Sequence, residues 1–149
     1  YAGGFCTADG LRASCMEICT CMRTADNVSE GISSFYAELL RIQKIVETSK
    51  KGQPMLSLID EIYKGTNSKD RILAAGETVK KLAQPYALTI LTTHDLELCE
   101  LEHDDAIDAV NYYFTEHYDE NKILFDYKIR QGRAASSNAR FLLHMAGIL

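Results

Sequence analysis

The sequence predicts an α/β fold in which a largely parallel sheet is sandwiched by helices. Short apolar runs alternate with amphipathic helical stretches from residue 16 to residue 94, and this alternation is typical of parallel sheets. Two of the apolar runs end abruptly in polar side chains, as strands do where a sheet borders a ligand site. The length of 149 residues and the hydrophobic content of 46% suffice for one domain with a buried core.

A strand and a helix open the pattern. The segment MEICTCMR (16–23) alternates apolar residues with polar or small ones, as a strand does. The segment TADNVSEGISS (24–34) has turn chemistry and leads into FYAELLRIQKIVETSKK (35–51), which we predict to be a helix. The apolar positions that recur there at helical spacing are Phe35, Leu39, Ile42 and Val46.

A second strand, a second helix and a third strand follow. PMLSLI (54–59) is short and apolar, which predicts a buried strand, and YALTILTTH (86–94) predicts another that is rich in β-branched residues. Between them SKDRILAAGETVKKLAQ (68–84) predicts a helix, and DLELCELEHD (95–104) predicts a short helix or a loop. The residues expected on the apolar side of the second helix are Ile72, Leu73, Val79 and Leu82.

The carboxyl-terminal part predicts a β-hairpin and a helix. Residues 106–134 are predicted to form two strands around a turn at 119–121, with a stop at Gly132. The segment SSNARFLLHMAGIL (136–149) predicts a short helix with a cap at Gly147.

Charge, apolar content and cysteines narrow the classes of function. The net charge of −5 gives no general attraction for nucleic-acid phosphates, so we expect DNA contacts to lie outside this chain. No apolar stretch approaches the roughly 20 residues of a membrane span, and we expect no membrane contact. The five cysteines include no CxxC pair, which argues against a zinc site. Their odd number, in a chain without a recognisable secretory signal, favours free thiols in a reducing compartment, the cytoplasm.

Two adjacent carboxylates, Asp60 and Glu61, directly follow the second strand. A buried carboxylate is costly unless it has a partner, and two neighbouring ones repel each other. Acids at a strand end therefore predict a ligand, often a metal ion, that neutralises them. Thr93 and His94 follow the third strand, and the carboxyl ends of adjacent parallel strands meet at one edge. The alternative for His94 is a strand-end histidine satisfied by backbone groups.

The segment GISSF (31–35) precedes a helix and offers an anion backbone N–H groups, two hydroxyls and the positive end of the helix dipole. The alternative is a pair of serines that only cap the helix.

In this order the segments resemble the ATPase domain of MutS-family DNA mismatch-repair proteins, a branch of the ABC ATPases with a P-loop NTPase-like fold. LIDEIYKGTNSKDR resembles the family's Walker B and D-loop, DEIGRGTS-x-x-D, and DNVSEGISSF resembles its signature, in which Gly-x-Ser-[ST]-Phe opens a helix. TILTTHDLELCELE resembles T-[TA]-H-x-x-E-L-x-x-L, and NKILFDYKIRQGRAASSNARFLLHMAGI resembles the closing hairpin and helix. The resemblance extends from about residue 18 to the end.

The resemblance implies that ATP and Mg²⁺ are the cofactors. Asp60 would help to hold Mg²⁺, and Glu61 would be the general base for attack of water on the γ-phosphate. His94 would be the switch histidine that contacts this phosphate.

The resemblance also implies a homodimer formed through the ATPase domain. The signature residues that would reach the ATP of the partner are Gly31, Ser33 and Ser34. The residues that would form the D-loop linking the two sites are Gly65, Thr66, Asn67 and Ser68. Mismatched DNA would be bound by domains that are absent here.

The chain departs from the family pattern in several places. Tyr63 stands where glycine is usual, Lys64 where arginine is common, and Asn67 where serine or threonine is common. The sequence contains no GxxxxGK[ST] and no initiating methionine. We therefore expect residues 1–149 to be a single partial ATPase domain that lacks the phosphate-loop strand and is inactive alone. The alternative is a degenerate, non-catalytic dimerisation module of the same fold.

Overall fold

The computed structural model describes residues 8–22, 34–119, 122–134, 143 and 147–148. The order strand, helix, strand, helix, strand that the sequence predicts is confirmed. The elements in chain order are β1 (Glu17–Cys21), α1 (Ser34–Ser49), β2 (Met55–Asp60), α2 (Ser68–Leu82), β3 (Ala87–Thr92), a 3-10 helix (Leu96–His103), β4 (Tyr112–Tyr113), β5 (Glu116–Asp119), β6 (Lys122–Phe125) and β7 (Arg130–Gln131).

The strands β1, β2 and β3 form one parallel sheet in chain order. Ser57 in the middle of β2 lies beside Cys19 of β1 and Thr89 of β3. The Ser57 and Thr89 hydroxyls share a hydrogen bond of 2.7 Å, which gives the buried Ser57 hydroxyl a polar partner. Parallel neighbours need a crossover connection, and α1 and α2 supply the two crossovers. The predicted α/β class with a parallel sheet is therefore confirmed.

One face of the sheet is covered by α1 and α2, which also contact each other. Side chains alternate along β2, so Met55, Ser57 and Ile59 are buried on this face, at 2%, 0% and 3% exposure. The buried hydrophobic residues are Cys21, Ile42, Ile45, Met55, Ile59, Ile62, Tyr63, Ala75, Leu82 and Leu98. Each large aliphatic side chain that is fully removed from water contributes about 1.5–3 kcal/mol.

The apolar side of α2 differs from the prediction at one residue. Leu73 is 67% exposed, so its expected place on the apolar side is wrong. Ile72, Ala75, Val79 and Leu82 follow one another at intervals of three or four residues and form the covered stripe, with Leu73 one step out of phase. Neither α2 nor any other helix in the described part of the chain is long and apolar enough to cross a membrane.

The opposite face of the sheet is apolar and open to solvent. Ile18 of β1 is 52% exposed, and Leu88 and Ile90 of β3 are 59% and 52% exposed. Leu56 and Leu58 lie between them on the same face and are half-buried. We call these five residues the open sheet face.

The carboxyl-terminal hairpin is confirmed, but its strands are shorter than predicted. β5 and β6 pair in antiparallel fashion, with Glu116 opposite Phe125. The other two short strands, β4 and β7, form a separate antiparallel pair with Tyr113 opposite Arg130. Residues 120–121 of the predicted turn lie outside the described residues.

A turn between β6 and β7 explains why the second strand of the predicted hairpin is interrupted after Phe125. Asp126 Oδ1 accepts a hydrogen bond of 2.9 Å from the Lys128 N–H, and Tyr127 has a φ of +53°. An aspartate that binds the backbone two residues ahead forms a turn, and the strand cannot continue through it. Of the helix predicted over 136–149, the structure describes only residues 143 and 147–148.

Candidate functional site

The carboxyl ends of β2 and β3 meet at one edge of the sheet. Asp60, the last residue of β2, lies beside Thr92, the last residue of β3. Thr92 Oγ1 donates a hydrogen bond of 2.5 Å to Asp60 Oδ1. The Glu61 backbone N–H donates to the Thr92 carbonyl at 3.0 Å, which extends the ladder by one residue. The Asp60 carboxylate and the Glu61 backbone are therefore both positioned against the third strand.

The Glu61 carboxylate contacts side chains from two different segments. Its Oε1 lies 3.0 Å from His94 Nε2, and its Oε2 contacts Lys64 Nζ. The Glu61 side chain is 15% exposed, whereas that of His94 is 90% exposed. His94 donates through Nε2 either as the neutral Nε2–H tautomer or as the imidazolium. Asp60, Glu61 and His94 thus lie together as the strand order predicts, while their chemical roles stay predictions.

The turn that follows β2 has an unusual backbone. Glu61 and Tyr63 have φ angles of +53° and +60°, in the left-handed region that residues with a Cβ rarely adopt. Such a conformation persists where neighbouring contacts hold it in place. We call residues 61–66 the Glu61 turn.

Tyr63 anchors the Glu61 turn in the core. It is 4% exposed, its hydroxyl shares a hydrogen bond of 3.0 Å with Thr78 Oγ1, and its ring meets that of Phe35 edge-on at 6.1 Å. Its backbone N–H donates to Glu38 Oε1 at 2.5 Å. Burial of the phenol raises the pKa of Tyr63. The side chain that replaces the usual glycine is therefore part of the packing that holds the turn.

The residues of the predicted D-loop have structural contacts of their own. A Cβ on Gly65 would lie 3.1 Å from Phe35 Cβ, so a side chain at this position requires Phe35 to move. Asn67 is the N-cap of α2, because its Oδ1 accepts from the Asp70 N–H at 3.0 Å. Thr66 is half-buried, and Ser68 is exposed as the first residue of α2. Contact of these residues with a nucleotide stays a prediction.

The signature segment is described only at its end. Gly31 and Ser33 lie outside the described residues. Ser34 is the first residue of α1, and its side chain is likewise outside the described part of the chain. That these residues bind an anion stays a prediction.

An ion pair that we did not predict from the sequence holds the residue that follows His94 in place. Arg71 of α2 donates two hydrogen bonds to the Asp95 carboxylate, at 2.7 and 2.6 Å. These bonds hold the pKa of Asp95 below its ordinary value. The Asp95 N–H also donates to Thr93 Oγ1 at 3.0 Å, so the residues on both sides of His94 are fixed. An acid and a base 24 positions apart carry no local signal that would have revealed this pair.

Asp60 fits the expected ligand of Mg²⁺. It is exposed at the strand end and presents the hard carboxylate oxygens that this cation prefers. The described residues contain no group of three or more His, Cys, Asp or Glu side chains arranged to hold a metal. A single carboxylate is compatible with Mg²⁺, which proteins commonly hold through one or two carboxylates while it keeps several waters.

Comparison with known proteins identifies similar sequences. The family model described as MutS domain V matches residues 1–148. The DNA mismatch repair protein MutS of Aquifex pyrophilus is 29% identical over 150 residues. That alignment covers 99% of this chain and 17% of the relative, so the chain spans less than a fifth of the relative's length.

Proposed function

The chain belongs to the MutS family through its match to domain V, and on this premise we propose that it is the carboxyl-terminal part of an ATPase domain. The whole protein, in this proposal, couples ATP binding and hydrolysis to recognition and repair of mismatched DNA. The observation that carries the proposal is the shielded Glu61 carboxylate, 3.0 Å from His94 Nε2 at the edge that Asp60 shares.

Glu61 is the proposed general base. A base must lie within hydrogen-bond reach of the proton that it abstracts, and its position must be fixed before the reaction. Contacts with His94 and Lys64 and the ladder bond to Thr92 fix Glu61 in this way. His94 is exposed on the solvent side of Glu61, which supports a role in contacting the terminal phosphate.

Asp60 is the proposed Mg²⁺ residue. The bound cation would neutralise charge on the ATP phosphates. Thr92 Oγ1 donates a hydrogen bond to Asp60 Oδ1 and thereby orients the carboxylate. The position of the other carboxylate oxygen is fixed as a result.

The proposed homodimer would use the signature and the D-loop. Gly31, Ser33 and Ser34 would contact the ATP of the partner subunit, and residues 65–68 would connect the two sites. Mismatched DNA is assigned to other domains of the protein, because the net charge of −5 gives this chain no general attraction for phosphates.

The test separates the two carboxylates in a protein whose ATPase domain includes the phosphate loop. Glu61→Gln keeps size and hydrogen bonding but cannot accept the proton, so hydrolysis should fall by about 10²–10⁴ while ATP binding survives. Asp60→Asn should instead weaken Mg²⁺-dependent nucleotide binding, because a neutral oxygen is a poorer ligand for a hard cation. Glu77→Gln, an exposed change on α2, is the matched control and should alter neither quantity.

Single-turnover hydrolysis and equilibrium ATP binding, measured separately, decide the outcome. Turnover that is unchanged in Glu61→Gln would exclude Glu61 as the base. The non-catalytic dimerisation module would be favoured if the unsubstituted protein showed no ATP turnover and neither substitution altered nucleotide binding. For the 149-residue chain alone, calorimetry with Mg-ATP should show no saturable binding, because its sequence contains no GxxxxGK[ST].

A further inference from the structure

The first two turns of α1 are built against the Glu61 turn. The Phe35 ring lies 6.1 Å from the Tyr63 ring, and Phe35 lies so close to Gly65 that a Cβ there would be 3.1 Å from Phe35 Cβ. Glu38, one turn further along the same helix, accepts the Tyr63 N–H at 2.5 Å. Three contacts therefore join the helix that starts at the signature segment to the turn that carries Glu61.

Of these contacts, only the Glu38 bond is polar and directional. A hydrogen bond from a backbone N–H to a carboxylate is charge-assisted, and it fixes both distance and angle. Phe35 contributes packing but no acceptor for the Tyr63 N–H. The bond is partly buried, so water competes for this N–H less than it would at the surface.

The strained backbone makes the bond consequential for Glu61. Glu61 and Tyr63 both have positive φ, and a turn of this kind keeps its geometry only while its neighbours hold it. Tyr63 is two residues from Glu61, so the bond to the Tyr63 N–H is one of the contacts that hold the backbone from which the Glu61 side chain reaches His94.

We infer that Glu38 is a positioning residue that links the amino-terminal end of α1 to the base Glu61. A displacement at the start of α1, where the signature segment ends, is passed through Glu38 to the Tyr63 N–H and then to the Glu61 carboxylate. The catalytic consequence rests on the proposed function, whereas the mechanical link is a property of this chain.

Nuclear magnetic resonance on the 149-residue chain tests the link without ATP. In the wild type, the Tyr63 amide proton should lie downfield and should exchange slowly, because it is bonded to a charged acceptor. Glu38→Gln keeps an accepting oxygen but not its charge, so the amide should remain protected from exchange while its proton resonance moves upfield. Glu38→Ala should speed exchange of this amide by about tenfold or more. Glu47→Gln is the matched control, since its carboxylate lies on the same helix and bonds Gln43 instead.

A second measurement tests the consequence in a protein that includes the phosphate loop. Glu38→Ala should lower kcat by about tenfold with little change in KM, the signature of a misplaced base. Glu38→Gln should recover most of that loss, which a role in folding stability alone does not require. The Tyr63 backbone is the reporter in both variants, so Glu38→Gln remains informative if Glu38→Ala does not fold.

The outcomes separate this inference from the proposed function. A Tyr63 amide whose chemical shift is the same in the wild type and in Glu38→Gln, or whose exchange is no faster in Glu38→Ala than in the wild type, overturns the link, whatever the ATPase does. A normal kcat in Glu38→Ala, with Glu61→Gln inactive, overturns the positioning role and leaves the base intact. If Glu61→Gln is itself fully active, the proposed function fails, and with it the catalytic part of the inference.

Discussion

Tyr63 shows how a single side chain offsets an unfavourable backbone. A left-handed conformation costs a residue with a Cβ about 1–2 kcal/mol. The phenol is 4% exposed and shares a hydrogen bond with Thr78, and burial of a large aromatic body is worth a comparable amount or more. The glycine of the family motif avoids the strain, whereas tyrosine accepts it and adds packing against Phe35.

Asp95 should give the stability of the fold a measurable pH dependence. Its pKa is lowered in the folded state by hydrogen bonds from Arg71. A lowered pKa contributes stability above the ordinary aspartate value of about 3.9, and this contribution disappears as the pH falls through the folded-state pKa. Asp95→Asn should therefore lower Tm by about 2–4 °C near neutral pH, and this difference should vanish in strong acid.

Thermal unfolding followed by circular dichroism across this pH range makes the measurement. Asp105→Asn is the control, because Asp105 is exposed and the mutation should leave Tm unchanged. A difference between wild type and Asp95→Asn that persists undiminished at about pH 2 would contradict the assignment.

The candidate site could be predicted from the sequence only where it depends on strand ends. Asp60, Glu61 and His94 were expected together because parallel strands end at a common edge, and Glu61 and His94 are 3.0 Å apart. The contacts of Lys64 and Glu38 were not predicted. Both depend on the left-handed residues of the Glu61 turn, and nothing in the identity of a tyrosine indicates a positive φ.

At the scale of elements, local periodicity is sufficient to predict the sheet and its two helices but not the bounds of the carboxyl-terminal strands. The bounds of β2 and α2 follow a short apolar run and a capped amphipathic stretch. The break between β6 and β7 depends on Asp126, whose side chain bonds the backbone two residues ahead. A run of alternating side chains continues through this turn, and the sequence pattern therefore predicted one longer strand.

The N-cap of α2, the helix of the second crossover, is expected to contribute to the free energy of unfolding. Asn67→Ala removes the acceptor for the Asp70 N–H and should lower the free energy of unfolding by about 1 kcal/mol. Asn67→Ser keeps an acceptor and should cost much less. Denaturant titrations of both variants measure the difference, and equal losses would show that the cap bond is not the cause.

A glycine in the same helix provides an opposite control. Gly76 lies inside α2, and a Cβ added to it would meet no atom within 4 Å. Gly76→Ala should therefore raise the free energy of unfolding by about 0.5–1 kcal/mol, because alanine restricts the unfolded chain and favours the helix. If Gly76→Ala raises the free energy of unfolding and Asn67→Ala lowers it, both effects are located in α2.

At the scale of the whole molecule, the open sheet face exposes apolar side chains in the part of the chain that the structure describes. β3 is the last strand of the described sheet, and Leu88 and Ile90 on it are more than half exposed. The segment from residue 85 to residue 93 contains no charged side chain. Uncharged edge strands with exposed apolar side chains are sites of association with other chains.

We therefore expect the 149-residue chain to associate with itself. Light scattering should show a mass that rises with concentration, and the double change Leu88→Thr and Ile90→Thr should reduce it, because threonine keeps strand propensity while removing apolar area. Leu73→Thr is the matched control, since Leu73 is similarly exposed but lies on α2. A monodisperse monomer at high concentration would contradict the expectation.

The order of strands in space, β1 then β2 then β3, is also their order in the chain. During synthesis β2 and β3 therefore each leave the ribosome after a strand with which they pair. Glu61 emerges before His94, so the acidic turn and its anchor on α1 can form first. His94 directly follows β3, so its contact with Glu61 can form only after all three strands of the described sheet have been synthesised.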